Sequence, residues 1–61
     1  MAREMIYRQF CKAVFRKRKF VCSAEFNTLI KEEISVNTTF VRRRMIDMQL
    51  IKIEHHVVKP F

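Results

Sequence analysis

At 61 residues the chain has room for one domain, and a domain of that size buries only roughly 60% of the surface its unfolded form exposes. There is no glycine in the sequence, which excludes every Gly-rich phosphate loop and dinucleotide fingerprint, and so short a chain leaves no space for a deep cleft framed by several loops. Thirteen Lys and Arg against six Asp and Glu give a formal charge of +7; that density favours a polyanionic partner, nucleic acid first, although an acidic membrane surface or an acidic protein groove satisfies the same arithmetic.

Residues 3–17 (REMIYRQFCKAVFRK) have a helical period, with Ile6, Phe10 and Val14 recurring along one face and Tyr7, Cys11 and Phe15 flanking them. The opposite face carries Arg8, Lys12, Arg16 and, if the helix continues, Lys19. Such a stripe is either a solvated face or a surface for phosphates or anionic lipid. The run RKRK at 16–19 breaks the apolar pattern, and Phe20-Val21-Cys22 is β-prone. Ser23 is expected to N-cap a second helix, AEFNTLIKE, with Glu25 in its first turn and Phe26, Leu29 and Ile30 along its buried edge.

The connection EISVNTT supplies three good cap residues in Ser35, Asn37 and Thr38. With no glycine to relieve a sharp corner, either the connection is longer than in a strict helix-turn-helix or Asn37 takes the positive-φ position. A third helix is expected from Thr38 to Met48. At about 100° per residue, Val41, Met45 and Met48 form its core edge, with Phe40 and Ile46 on the flanks. The three consecutive arginines then separate. Arg43 points away from the core with Thr39 and Arg42 on one side and Asp47 on the other, whereas the Arg44 stem lies along Phe40 with its head in solvent; Asp47 is placed to pair with either Arg43 or Arg44.

The tail LIKIEHHVVKPF returns to period two, with Ile51, Ile53, His55 and Val57 on one face, and reads as a strand over 51–57 paired with Phe20 to Cys22. A wing needs a hairpin turn, and KIEHHVVKP offers neither Asn-Gly nor Asp-Gly, so the wing is expected to be truncated or absent. Phe61 either folds back as an apolar plug or frays. The fold class is therefore mainly α: a single three-helix, helix-turn-helix or winged-helix-like domain over 1–61, with a two-stranded β element at 20–22 and 51–57.

EFNTLI followed by FVRRRMIDMQLIKI resembles the E-V-N-x-x-L and L-R-R-x-L-V-D-x-G-L-L signature of a small uncharacterised bacterial domain that occurs alone or attached to helix-turn-helix transcriptional regulators. The resemblance covers about residues 20–54, with Glu25, Asn27, Arg42, Arg43, Asp47, Leu50 and Ile51 on or close to the pattern. It implies a winged-helix-like fold and a setting in transcription regulation. Two departures stand out: Gln49 occupies the usual glycine position, and the basic first helix lies outside the signature.

The catalytic and metal-binding residue types do not form a constellation. Cys11 and Cys22, with ten residues between them, and the adjacent His55 and His56 lack the close ligand pairs of a zinc finger, and neighbouring residues on a strand face opposite ways. No enzyme activity, metal or cofactor is expected. Neither a secretory leader nor a membrane span is expected either, which suggests a cytoplasmic protein with reduced thiols; a disulfide between the two cysteines is the alternative. Two functions remain. The first is a nucleic-acid-binding module, with DNA ahead of RNA, acting as a transcriptional regulator or a phage or mobile-element accessory factor. Thr38, Thr39, Arg42 and Arg43 would meet base edges, and Arg8, Lys12, Arg16 and Lys19 would hold phosphates, with a homodimer an open option. The second is an adaptor or inhibitor docking on an acidic protein surface such as the transcription machinery, anchored by Met1, Met5 and Phe61.

Overall fold

The computed structural model describes residues 3–61, with side chains from Glu4 onward; Met1 lies outside the described residues. Three helices and three strands follow one another as α1 (Arg3–Val14), β1 (Val21–Cys22), α2 (Ser23–Glu33), α3 (Thr38–Asp47), β2 (Ile51–Glu54) and β3 (Val57–Pro60). The strands form one antiparallel sheet in the order β1-β3-β2.

The first helix stops at Val14, short of the expected 17. Arg16 to Lys19 would stack four cations on its last turns, and like charges at helical spacing destabilise. Phe15 instead turns inward to stack on Phe26 with centroids 6.1 Å apart, and Phe10 meets the same ring edge-on at 5.6 Å. Phe26, Ile30, Met45, Ile51 and Val58 are fully buried and Val21 and Val41 nearly so; Tyr7, Phe10 and Cys11 complete the interior from α1, and no charged residue is buried among those described. Met48, expected on the core edge, is half-buried.

Ser23 is not a cap. Cys22 holds the N-cap position without a side-chain hydrogen bond, and Ser23 opens the helix with its N–H donating to the His56 carbonyl at 2.9 Å. Asn37 does not take the left-handed conformation. Its φ is −84°, and it caps α3 by accepting from the Phe40 N–H at 3.2 Å, so the connection over 34–37 turns without a positive-φ residue.

The tail departs most from the sequence reading. It forms a complete hairpin in place of a single strand, and β1 joins β3 through Val21↔Val58 and Cys22↔Val57, giving three strands where two were expected. The turn is His55–His56, with φ of 51° and 64°. Positive φ at both central residues is what a type I′ turn demands, normally of Asn-Gly. Because the turn takes two residues, Val58 lies opposite Ile53 and is buried, whereas Val57 is only half-buried. Lys52 sits directly opposite Lys59, a repulsive cross-strand pair that Glu54 relieves by accepting from Lys59 Nζ at 3.0 Å. That hydrogen bond, with the Lys59 and Lys52 charges, lowers the Glu54 carboxyl below its ordinary value.

The end of α3 follows the same economy. Gln49 has φ 60°, its N–H bonds the Ile46 carbonyl, and the Leu50 N–H bonds the Met45 carbonyl, each at 2.9 Å, which together make a Schellman motif with a non-glycine at C′. A left-handed conformation costs a side-chain-bearing residue about 1–2 kcal/mol. Gln49→Gly is therefore expected to stabilise the domain by about 1 kcal/mol, a rise in Tm of roughly 4–8 °C; an unchanged or lower melting temperature would contradict the assignment.

Burial pushes the Cys11 thiol up from 9.0 to about 11. In the unfolded chain the thiol ionises first, so the unfolded state holds fewer protons between these values and stability falls as pH rises through that window. Urea denaturation from pH 8 to 11 should show this alkaline loss, and Cys11→Ala should flatten it relative to the parent chain.

Candidate nucleic-acid interface

The outward face of α3 meets the hairpin at a shallow depression of about 330 Å³ lined by Thr39, Arg42, Arg43, Ile46, Asp47 and Ile53. Two of the three adjacent arginines line it, and all three have different surroundings. The Arg42 guanidinium is drawn back across α2: Nη1 donates to Asn27 Oδ1 at 3.0 Å and reaches Ser23 Oγ at 3.4 Å. Its Nε is buried without a partner in the protein. This differs from the reading in which Arg42 stands beside Arg43 as an open contact. Asn27 and Ser23, one turn apart on α2, offer two acceptors that the single Nη1 reaches, and the result is a side-chain bridge between α2 and α3.

Arg44 also differs from expectation. Its partner is Glu4 on α1, with Nη2 to Oε2 at 3.2 Å, and not Asp47. The pair is half-exposed, so it contributes little beyond orienting the N-terminal turn of α1. Arg43 is exposed and, among the described residues, has no carboxylate at salt-bridge distance; the ion pairs present are Arg44 with Glu4, Arg18 with Glu25, and Lys59 with Glu54. Thr39 is exposed one turn before Arg43, and Thr38 is half-buried at the start of the helix. Asp47, one turn after Arg43, keeps the depression from being uniformly cationic.

The remaining cations are not gathered here. Arg8 and Lys12 are exposed but line a separate groove beside Leu50 and Pro60. Arg16 and Lys19 are exposed on the connection that follows the shortened first helix. The continuous stripe read from the sequence is thus divided between a helix and a loop. What sequence reasoning missed is the hairpin turn: His55 and His56, both exposed, form the tip of the sheet and reach α2 through the bond from the Ser23 N–H to the His56 carbonyl. Positive φ at two histidines leaves no compositional signal of a turn.

Both cysteines are free, Cys11 buried and Cys22 exposed, and among the described residues no three His, Cys, Asp or Glu side chains converge as a metal site would require. No described helix is long and apolar enough to cross a membrane. Comparison of the chain with protein-family models, curated proteins and solved structures gives no match.

The two neighbouring arginines should separate in a stability measurement. Arg42→Ala leaves Asn27 Oδ1 without its donor and is expected to cost about 1 kcal/mol, whereas Arg43→Ala is expected to stay within about 0.5 kcal/mol of the parent chain. Equal midpoints in urea would show that the bridge to α2 carries no stability.

Proposed function

We propose that the protein is a small nucleic-acid-binding module that presents α3 to duplex DNA. The observation that carries this reading is Arg43, exposed and unpaired by any described carboxylate at the middle of α3, with Thr39 one turn before it and both neighbouring arginines engaged within the protein. Helix, strand, two helices and a hairpin, with strand order β1-β3-β2, is the element order we read as a winged-helix arrangement, α3 being the recognition helix and His55–His56 the wing tip.

On this reading each side chain has a distinct task. Arg43 makes the bidentate contact to guanine O6 and N7 that its planar fork allows, or a phosphate contact where no guanine is in register. Thr39 contacts a base edge or a thymine methyl. Thr38, half-buried, leads the helix toward the groove, and Arg42 acts indirectly by fixing α3 against α2. Asp47 discourages a purely phosphate-directed contact and can accept from cytosine N4. Arg16 and Lys19 add exposed charge for the sequence-independent part of the affinity. A transcriptional regulator or an accessory factor of a mobile element is the setting that fits so small a binding module.

Fluorescence anisotropy with a labelled random-sequence duplex tests this reading. Affinity should fall with salt along a log–log slope of about −3 or steeper. Arg43→Ala should lower affinity about tenfold and reduce the slope by roughly 0.9, the release of one counterion. Arg43→Lys should recover the salt slope but not any sequence preference, because an ammonium cannot make the bidentate contact. Duplex RNA and single strands in parallel decide the nucleic-acid class. The reading fails if no duplex binds at roughly 50 mM salt.

A further inference from the structure

At the root of the β2–β3 hairpin, an open groove of about 600 Å³ runs between α1 and the chain on either side of the hairpin. Met5, Phe15, Leu50 and Pro60 form its apolar walls, and Arg8 and Lys12 stand exposed on it one helical turn apart. Met5 is 56% exposed and Phe61 is 67% exposed, the latter held beside the groove by its N–H bond to the Leu50 carbonyl at 3.0 Å. Neither Arg8 nor Lys12 has a carboxylate at salt-bridge distance among the described residues. Apolar walls and unpaired cations in one groove define a complementary shape: apolar side chains flanked by carboxylates.

We propose that this groove docks an acidic amphipathic helical segment of a partner protein. Arg8 and Lys12 are i and i+4 on α1, so their spacing along the helix matches carboxylates placed one turn apart on a helix lying alongside. The apolar stripe of such a helix covers Met5, Phe15 and Leu50, and a methionine at the wall adapts to whichever side chains arrive. A nucleic-acid backbone answers the two cations but leaves the apolar walls in water, so it is the poorer occupant. The groove lies past the C-terminal end of α3 and at the opposite end of the hairpin from the His55–His56 turn, which leaves the N-terminal half of α3 free while a partner is bound. The proposal stands apart from the nucleic-acid reading and does not require it.

The probe is a fluorescein-labelled synthetic helix of about 18 residues, with Leu and Phe at i, i+3, i+4 and i+7 and Glu on either side of that stripe. Its control is a scrambled isomer of identical composition that lacks the stripe. Anisotropy at about 150 mM salt, where long-range attraction is screened, should show saturable one-to-one binding of the amphipathic peptide in the micromolar range and at least tenfold weaker binding of the isomer. Met5→Ser and the pair Arg8→Gln with Lys12→Gln should each weaken the peptide about tenfold, with circular dichroism melts confirming that both variants remain folded. Met5→Ser should leave duplex affinity unchanged. Equal binding of peptide and isomer, no saturation, or an unchanged affinity in Met5→Ser would overturn the proposal. So would a loss of duplex affinity in the Arg8/Lys12 pair as large as that of Arg43→Ala, since those cations would then be phosphate contacts. Peptide binding without duplex binding supports the groove and ends the nucleic-acid reading.

Discussion

The domain depends on one ring. Phe26 on α2 is fully buried, Phe10 from α1 meets it edge-on, and Phe15 stacks on it after α1 has ended. Burying a phenyl group in full contributes about 1.5–3 kcal/mol, a large share of the net stability of a domain this small. Phe15 reaches the ring from the position next to the end of α1, its N–H still bonded to the Cys11 carbonyl at 3.0 Å. Arg16 to Lys19 then lead the chain into β1. From there the two-residue pairing with β3 brings the hairpin against the start of α2, so sheet and helices share one interior.

An interior without charge leaves every described cation at or near the surface, and function then turns on which of them the protein has already used. Arg42 is committed to Asn27, Arg44 and Arg18 to carboxylates, and Lys59 to Glu54. Of the cations left without a described carboxylate partner, Arg43, Arg8 and Lys12 lie in two different depressions. A net charge of +7 alone would steer the molecule toward any polyanion. The local surroundings separate the two surfaces: one cation beside a threonine and an aspartate on a helix face, two cations over an apolar groove.

Helical periodicity was legible in the sequence because it is a property of single segments. Ile30, Val41 and Met45 were placed inward by spacing alone, and all are buried. Along α1 the spacing was less exact: Cys11, placed on a flank, is buried, whereas Ile6, placed on the apolar face, is exposed. The rest depends on partners distant in the chain. Nothing near Arg42 announces Asn27, fifteen residues earlier, and nothing near Arg44 announces Glu4, forty residues earlier. The local pairing of Arg44 with Asp47 was the better guess from sequence, and it lost to a contact that exists only once α1 has packed. The hairpin was missed for a different reason. Turn chemistry is recognised through glycine and asparagine, and two histidines at positive φ carry neither signal. Gln49 is equally silent: it is in the left-handed conformation a glycine would favour, and its side chain gives no sign of it.

The lack of glycine therefore has a location as well as a cost. Among the described residues, all three at positive φ, Gln49, His55 and His56, fall between the end of α3 and the start of β3. Each conformation is held by its neighbours: the Schellman bonds fix Gln49, and the sheet ladder with the Ser23 bond to the His56 carbonyl fixes the turn. Backbone strain of this kind persists only where the surrounding structure over-determines it. The hairpin is held from both sides, by β1 along β3 and by α2 at its tip, and this is what allows side-chain-bearing residues to occupy corners where glycine would be easier. The same restraint keeps α3 and the turn in a fixed relation, so a partner that meets Arg43 meets the His55–His56 tip in a defined place.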